Sequence, residues 1–92
     1  IDLERLDRPI KESIWERIHH PQDDKGLTRL ELWCLKEAAF KALYNAGHIH
    51  GPIPFAEIVF RKDGIWQWKS VTGHYQTSLQ DQEWQLAQAW FN

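Results

Sequence analysis

The sequence predicts an α+β domain in which a short strand and two helices precede an antiparallel β meander, and three features of its patterning predict it. Ile1-Asp2-Leu3-Glu4 alternates apolar and acidic side chains, the period of a half-buried strand. Apolar residues then recur at helical spacing to about residue 46, interrupted by one polar, turn-rich stretch. Beyond Gly51-Pro52 the period changes to alternation, punctuated by Asp63-Gly64. Helices and strands segregated in this way pack as helices on one face of a sheet.

Each element has its own local signal. In the opening strand Asp2 and Glu4 share a face, because side chains alternate across a strand. Asp7 and Pro9 supply helix-start chemistry, and Ile10, Ile14 and Ile18 carry a first helix over about 9–19. It ends where Pro21 disfavours helical geometry at His20. Residues 21–26 are polar and turn-rich, and Thr28 followed by Glu31 has capping-box spacing ahead of a second helix over about 28–46. Asn45 and Gly47 suit a left-handed helix terminus, and Gly51-Pro52 with Pro54 prevents resumption. Strands over 55–61 and 65–71 flank Lys62-Asp63-Gly64, Thr72-Gly73 marks a further turn, and strands over 74–79 and 83–91 complete the meander.

Composition narrows the function classes. The chain has 92 residues, 42% of them hydrophobic and six of them Trp, enough for one small core. A formal net charge of −2 gives no field that would draw nucleic acid or an anionic membrane. One cysteine excludes an internal disulfide framework and fits a reducing compartment. No apolar run has transmembrane length and no signal-peptide pattern opens the chain, so a soluble cytoplasmic protein is expected. There is no Met and the chain opens on Ile1, so it is expected to continue upstream.

The second helix holds the anomaly. Leu30, Trp33, Cys34, Phe40 and Tyr44 lie near Glu37 on a helical wheel, while Leu32, Leu35, Ala39, Ala42 and Leu43 cover the opposite side, so both sides read as buried. Among them stand Lys36, Glu37 and Lys41. An exposed Glu–Lys pair four residues apart contributes only about 0.2–0.5 kcal/mol. Desolvating a charge costs several kcal/mol unless a partner compensates it. The charges therefore call for a cation and an anionic ligand, or for one another in a self-satisfied cluster at the core edge. Spacing leaves both open. Asp2 and Glu4, on one side of a strand, leave room for a carboxylate from an adjacent helix to complete a three-oxygen face, and Glu37 is the candidate.

Ile1-Asp2-Leu3-Glu4, followed further along by Trp33-x-x-Lys36-Glu37-Ala38-x-x-Lys41, resembles the two signatures of the 4′-phosphopantetheinyl transferase superfamily, Ile-Asp-x-Glu and Trp/Phe-x-x-Lys-Glu-x-x-x-Lys. Larger, surfactin-synthetase-activating members have two similar halves with coenzyme A bound between them; smaller carrier-protein-synthase members have one unit per chain and form trimers. Trp33 and Cys34-Leu35 look more like the larger type, so residues 1–92 are expected to be a single transferase domain, the C-terminal half of such an enzyme. The resemblance implies transfer of 4′-phosphopantetheine from coenzyme A to a serine of an acyl or peptidyl carrier protein, with release of adenosine 3′,5′-bisphosphate. It implies Mg²⁺ held by Asp2, Glu4 and Glu37, coenzyme phosphates contacted by Lys36 and Lys41, and catalysis by Glu37 as base beside Lys41.

The other features have plainer readings. His19, His20, His48 and His50 lack the paired spacing of a zinc site and are expected in loops. Trp66, Trp68, Trp84 and Trp90 are expected to fill the core or a half-to-half interface rather than a sugar platform. Asp23-Asp24 reads as a solvated helix entry. The competing function is a non-catalytic binding or assembly module with the same fold, inactive as an isolated half, in which Lys36, Glu37 and Lys41 are structural charges only and Asp2 and Glu4 point away from Glu37. Self-association is also expected, through the surface that would meet the other half.

Overall fold

The computed structural model describes residues 1–52 and 54–92. Asp2–Arg5 forms β1, Glu12–Ile18 α1, Arg29–Asn45 α2, Val59–Phe60 β2, Ile65–Trp68 β3, Val71–Gln80 β4 and Trp84–Phe91 β5, with a 3₁₀ turn at Phe55–Glu57. This is the expected α+β order of strand, two helices and meander. Among the described residues the strands form one antiparallel sheet in the order β1-β5-β4-β3-β2, so the N-terminal strand closes the far edge of the meander.

Helix α2 is fixed at both ends by its own sequence. The Thr28 hydroxyl accepts from the Glu31 amide at 3.1 Å while the Glu31 carboxylate accepts from the Thr28 amide at 3.0 Å, completing the capping box. The other Glu31 oxygen accepts from the Thr77 hydroxyl at 2.8 Å, tying the helix start to β4. At the far end Gly47 takes a φ of 82°, and the amides of Gly47 and His48 return to the carbonyls of Tyr44 and Leu43 at 3.0 and 2.9 Å. That pair of bonds is a Schellman stop, which favours glycine. Between these ends Leu32, Leu35, Ala39 and Leu43 pack on Ile58, Phe60, Trp66, Trp68 and Ala87 to form the core. Tyr44, expected to be buried, is 59% exposed, because it lies in the last turn as the helix leaves the sheet.

Several element boundaries differ from those expected. Helix α1 begins at Glu12 rather than near residue 9, because Arg8 closes a turn onto the Arg5 carbonyl at 3.1 Å and its side chain is paired with Glu4. The strand expected over 55–61 is reduced to Val59–Phe60. Phe55 instead turns its ring edge-on to Trp33 and Phe40, with centroids 5.8 and 5.7 Å away, and the chain bends around it. The hairpin after β2 is as expected, with Gly64 at a φ of 81°.

Thr72-Gly73 is not a turn. Both residues lie inside β4, and the chain reverses at Lys69-Ser70, with Lys69 at a φ of 53°. Glycine is needed at 73 for a different reason. The indole of Trp66 lies across its Cα and donates to the Trp90 carbonyl at 3.2 Å, so a Cβ there would fall 2.1 Å from that oxygen and 2.4 Å from Trp66 Nε1. The tryptophans divide by face: Trp66 and Trp68 are buried under α2, while Trp84 is half-buried and Trp90 exposed.

Candidate active site

Register puts the strand acids under the helix. Asp2 pairs with Ala87 and Glu4 with Gln85, both buried inward positions, while Leu3 between them faces out. Helix α2 runs over this edge, bringing Trp33 to Glu4 and Lys41 to Asp2. The Lys41 ammonium lies 2.8 Å from Asp2 Oδ1, and the Trp33 indole N–H donates to Glu4 Oε1 at 3.3 Å. Arg8, folded back by the turn after β1, donates to the same Glu4 oxygen and lays its guanidinium 5.1 Å from the centre of the Trp33 ring.

Glu37 sits between Trp33 and Lys41 on the same helix face, where helical spacing aligns residues four apart. Burial, then the charges of Asp2 and Glu4, push its carboxyl above the usual range, against the opposing pull of Lys41 and Arg8, and no hydrogen bond to it takes part. Lys41 is 50% exposed, and its hydrogen bond to Asp2, with the charges of Asp2, Glu37 and Glu4, raises its affinity for its proton. The Cys34 thiol beneath is pushed up to about 12, first by burial and then by Asp2, Glu4 and Glu37 together. Asp2, Glu4 and Glu37 are therefore near enough to Cys34 for their charges to be felt there.

By chemical type Asp2, Glu4 and Glu37 are donors for a hard divalent cation, though among the described residues they are not gathered at metal-holding spacing. Asp2 is 8% exposed, and its Oδ2 is, among the described residues, the one buried side-chain oxygen or nitrogen without a hydrogen-bond partner. Such an orphaned acceptor is costly unless something positive meets it. Three carboxylates supply the oxygen ligands that Mg²⁺ prefers. No group of three potential ligands is drawn together at metal-holding spacing among the described residues, the histidines included. Asp2 and Glu4 instead each lend one oxygen to an internal cation.

Lys36 does not join this face, which corrects the expectation that it reaches a coenzyme phosphate. It is 0% exposed, with its ammonium 3.1 Å from Asp23 Oδ2, donating to the Ile58 carbonyl and lying 5.7 Å from the centre of the Phe60 ring. Burial pushes its pKa down, and Asp23 opposes that shift. Asp23 is thus a structural counter-ion, not part of a solvated helix entry. It is 3% exposed and also accepts from the amides of His20 and Phe60, each at 2.9 Å, fastening the inter-helix loop to β2. The anticipated self-contained Lys36–Glu37–Lys41 cluster is split, each lysine taking an aspartate from another element. A buried lysine demands a carboxylate, and that demand was the available signal for Asp23.

Arg8 is the other residue that sequence patterning did not single out. Nothing in its spacing distinguishes it; the turn that returns it to Glu4 does. Beside the acids, Trp33 borders an apolar cavity of about 320 Å³ lined also by Ile14, Arg17, Ile18 and Phe55. Among the described residues no helix is long and apolar enough to cross a membrane.

The sequence model of the 4′-phosphopantetheinyl transferase superfamily matches residues 1–89, nearly the full chain and both signature segments. No curated protein and no solved structure matches it. From the extent of that match, the chain belongs to the 4′-phosphopantetheinyl transferase superfamily.

Proposed function

We propose that this chain transfers 4′-phosphopantetheine from coenzyme A to a serine of an acyl or peptidyl carrier protein, with Mg²⁺ at Asp2, Glu4 and Glu37, as in holo-[acyl-carrier-protein] synthases. The reading is supported by the superfamily match over residues 1–89 and by the way Asp2 and Glu4 meet Lys41 and Trp33 of the signature helix, with Asp2 Oδ2 buried and unpartnered.

In this reading the serine oxygen forms a bond to the phosphorus that carries the pantetheine, and the bond from that phosphorus to the bridging oxygen breaks. Adenosine 3′,5′-bisphosphate departs with the electron pair. Glu37 accepts the serine proton. Lys41, protonated and half exposed, offsets charge on the phosphate oxygens. Bound Mg²⁺ would supply a Lewis acid for the pyrophosphate and neutralise the three acids. Lys36 supports the site from within the core, through the helix that carries Glu37. Coenzyme A is the substrate, and buried Cys34 suits the reducing cytoplasm.

The test is the intact mass of an apo carrier protein after incubation with this protein, coenzyme A and Mg²⁺. Wild type is expected to append phosphopantetheine, and Glu37→Gln to lose transfer by about 100-fold or more, in line with general acid–base contributions. Equal transfer by Glu37→Gln would overturn the assignment.

A further inference from the structure

A seam between β1 and α2 leads away from the acids. On β1 Asp2 and Glu4 alternate with outward Leu3, and Leu6 continues the alternation, its amide donating to the Glu83 carbonyl at 2.8 Å. On α2 Lys41, Glu37, Trp33 and Leu30 follow one another at spacings of three and four, which align on a helix. Lys41 meets Asp2, and Trp33 meets Glu4. Beyond them the seam opens, at Leu6 and Leu30, into a cleft of about 560 Å³.

The cleft has a neutral, amphipathic lining. Leu6, Leu30 and Leu79 give it apolar walls. Glu31, the charged residue of the lining, has both oxygens engaged, by the Thr28 amide and the Thr77 hydroxyl. Gln85 is 5% exposed and stands in one cross-strand row with Glu4 and Leu79. Both hydrogen bonds of its side chain are donated by Nε2, to the Ser78 carbonyl at 3.1 Å and the Leu86 carbonyl at 3.4 Å, so Oε1 remains to accept an N–H. Apolar walls with a few placed polar groups suit an uncharged chain that contains amides.

We propose that this cleft holds the pantetheine arm of coenzyme A. The inference rests on the reading of the acids and Lys41 as the pyrophosphate site and adds where the rest of the substrate lies. The arm carries two amides on a main chain of about thirteen atoms, as many as four peptide residues, and so extends about 14 Å. Asp2 to Leu6 spans about 13 Å at the usual strand rise. An arm anchored by its phosphate at Lys41 therefore reaches Leu6 and Gln85, with an amide N–H for Oε1 and methylene groups against the leucines.

The experiment is an NMR titration of the isotope-labelled protein with pantetheine, coenzyme A and adenosine 3′,5′-bisphosphate, which lacks the arm. Pantetheine and coenzyme A are expected to shift the Gln85 side-chain amide and the methyls of Leu6 and Leu79, and the bisphosphate to leave them in place. Leu79→Glu is expected to weaken pantetheine binding about tenfold by loss of apolar contact, at an unchanged melting midpoint, since Leu79 is 59% exposed. Unmoved cleft signals with both arm-bearing ligands would overturn the proposal, as would equal pantetheine affinity in Leu79→Glu. The underlying reading fails separately. If pantetheine moves the cleft signals but Lys41→Met leaves coenzyme A affinity unchanged, the pyrophosphate site is wrong and the cleft stands. If Lys41→Met weakens coenzyme A while the cleft signals stay still, only the cleft is wrong.

Discussion

A half-buried carboxylate beside two others, with no hydrogen bond to it, opposes folding until a positive charge arrives, and Glu37 is in that position. Its pKa is raised in the folded state, so its contribution to stability is full below the ordinary 4.5 and is lost as pH rises through the folded value. Glu37→Gln is therefore expected to stabilise the metal-free protein at neutral pH by about 0.5–1 kcal/mol, the scale of partly exposed charge pairs. Calorimetric melting in chelator checks this. Lys36 behaves differently, because removing one partner of a buried pair strands the other. Lys36→Met is expected to cost about 3–5 kcal/mol by urea unfolding, and Asp23→Asn in the same chain to recover part of it. The need for partners was legible in the sequence, since Lys36, Glu37 and Lys41 stand among apolar neighbours. The partners were only partly legible. Asp2 shows through strand alternation, whereas Asp23 reaches Lys36 only because the inter-helix loop folds back onto β2.

At the scale of elements, local chemistry set α2, the Lys62-Asp63-Gly64 hairpin and β1, whose caps and turns are complete within a few residues. The meander's later turn was not legible that way. Thr72-Gly73 has turn composition, but Gly73 is dictated by an indole approaching from the neighbouring strand, and no local pattern carries that contact. Gly73→Ala is expected to cost about 3 kcal/mol by overpacking, with loss of the near-ultraviolet circular dichroism of Trp66. The first turn of α1 was misplaced for a similar reason. Pro9 is a good helix starter, yet the ion pair of Arg8 with Glu4 delays the helix to Glu12. That delay is what carries a guanidinium to the acids, so a displaced boundary and an unforeseen site residue have one cause.

For the molecule as a whole, the candidate site lies on the β1 edge of the sheet, under the middle of the best-capped helix and next to the core, to which Ala87, the partner of Asp2, belongs. Burial raises the Cys34 thiol from 9.0 and the Tyr75 hydroxyl from 10.0, each to about 12, so both withhold stability as pH climbs through those intervals. Lys41, raised by its bond to Asp2, loses its contribution as pH passes its folded value. Lys36, with a lowered pKa, acts in the opposite sense up to 10.5. The balance predicts stability falling above about pH 9 in chemical-denaturation curves, with the slope reduced in Cys34→Ala. The most direct test of the central claim, one cation–phosphate site built from Asp2, Glu4, Glu37 and Lys41, is calorimetric titration with coenzyme A, with and without Mg²⁺, for wild type and Glu37→Gln. The expected result is binding that Mg²⁺ tightens in wild type and leaves unchanged in the variant. Equal Mg²⁺ enhancement in both, or none in wild type, would contradict it.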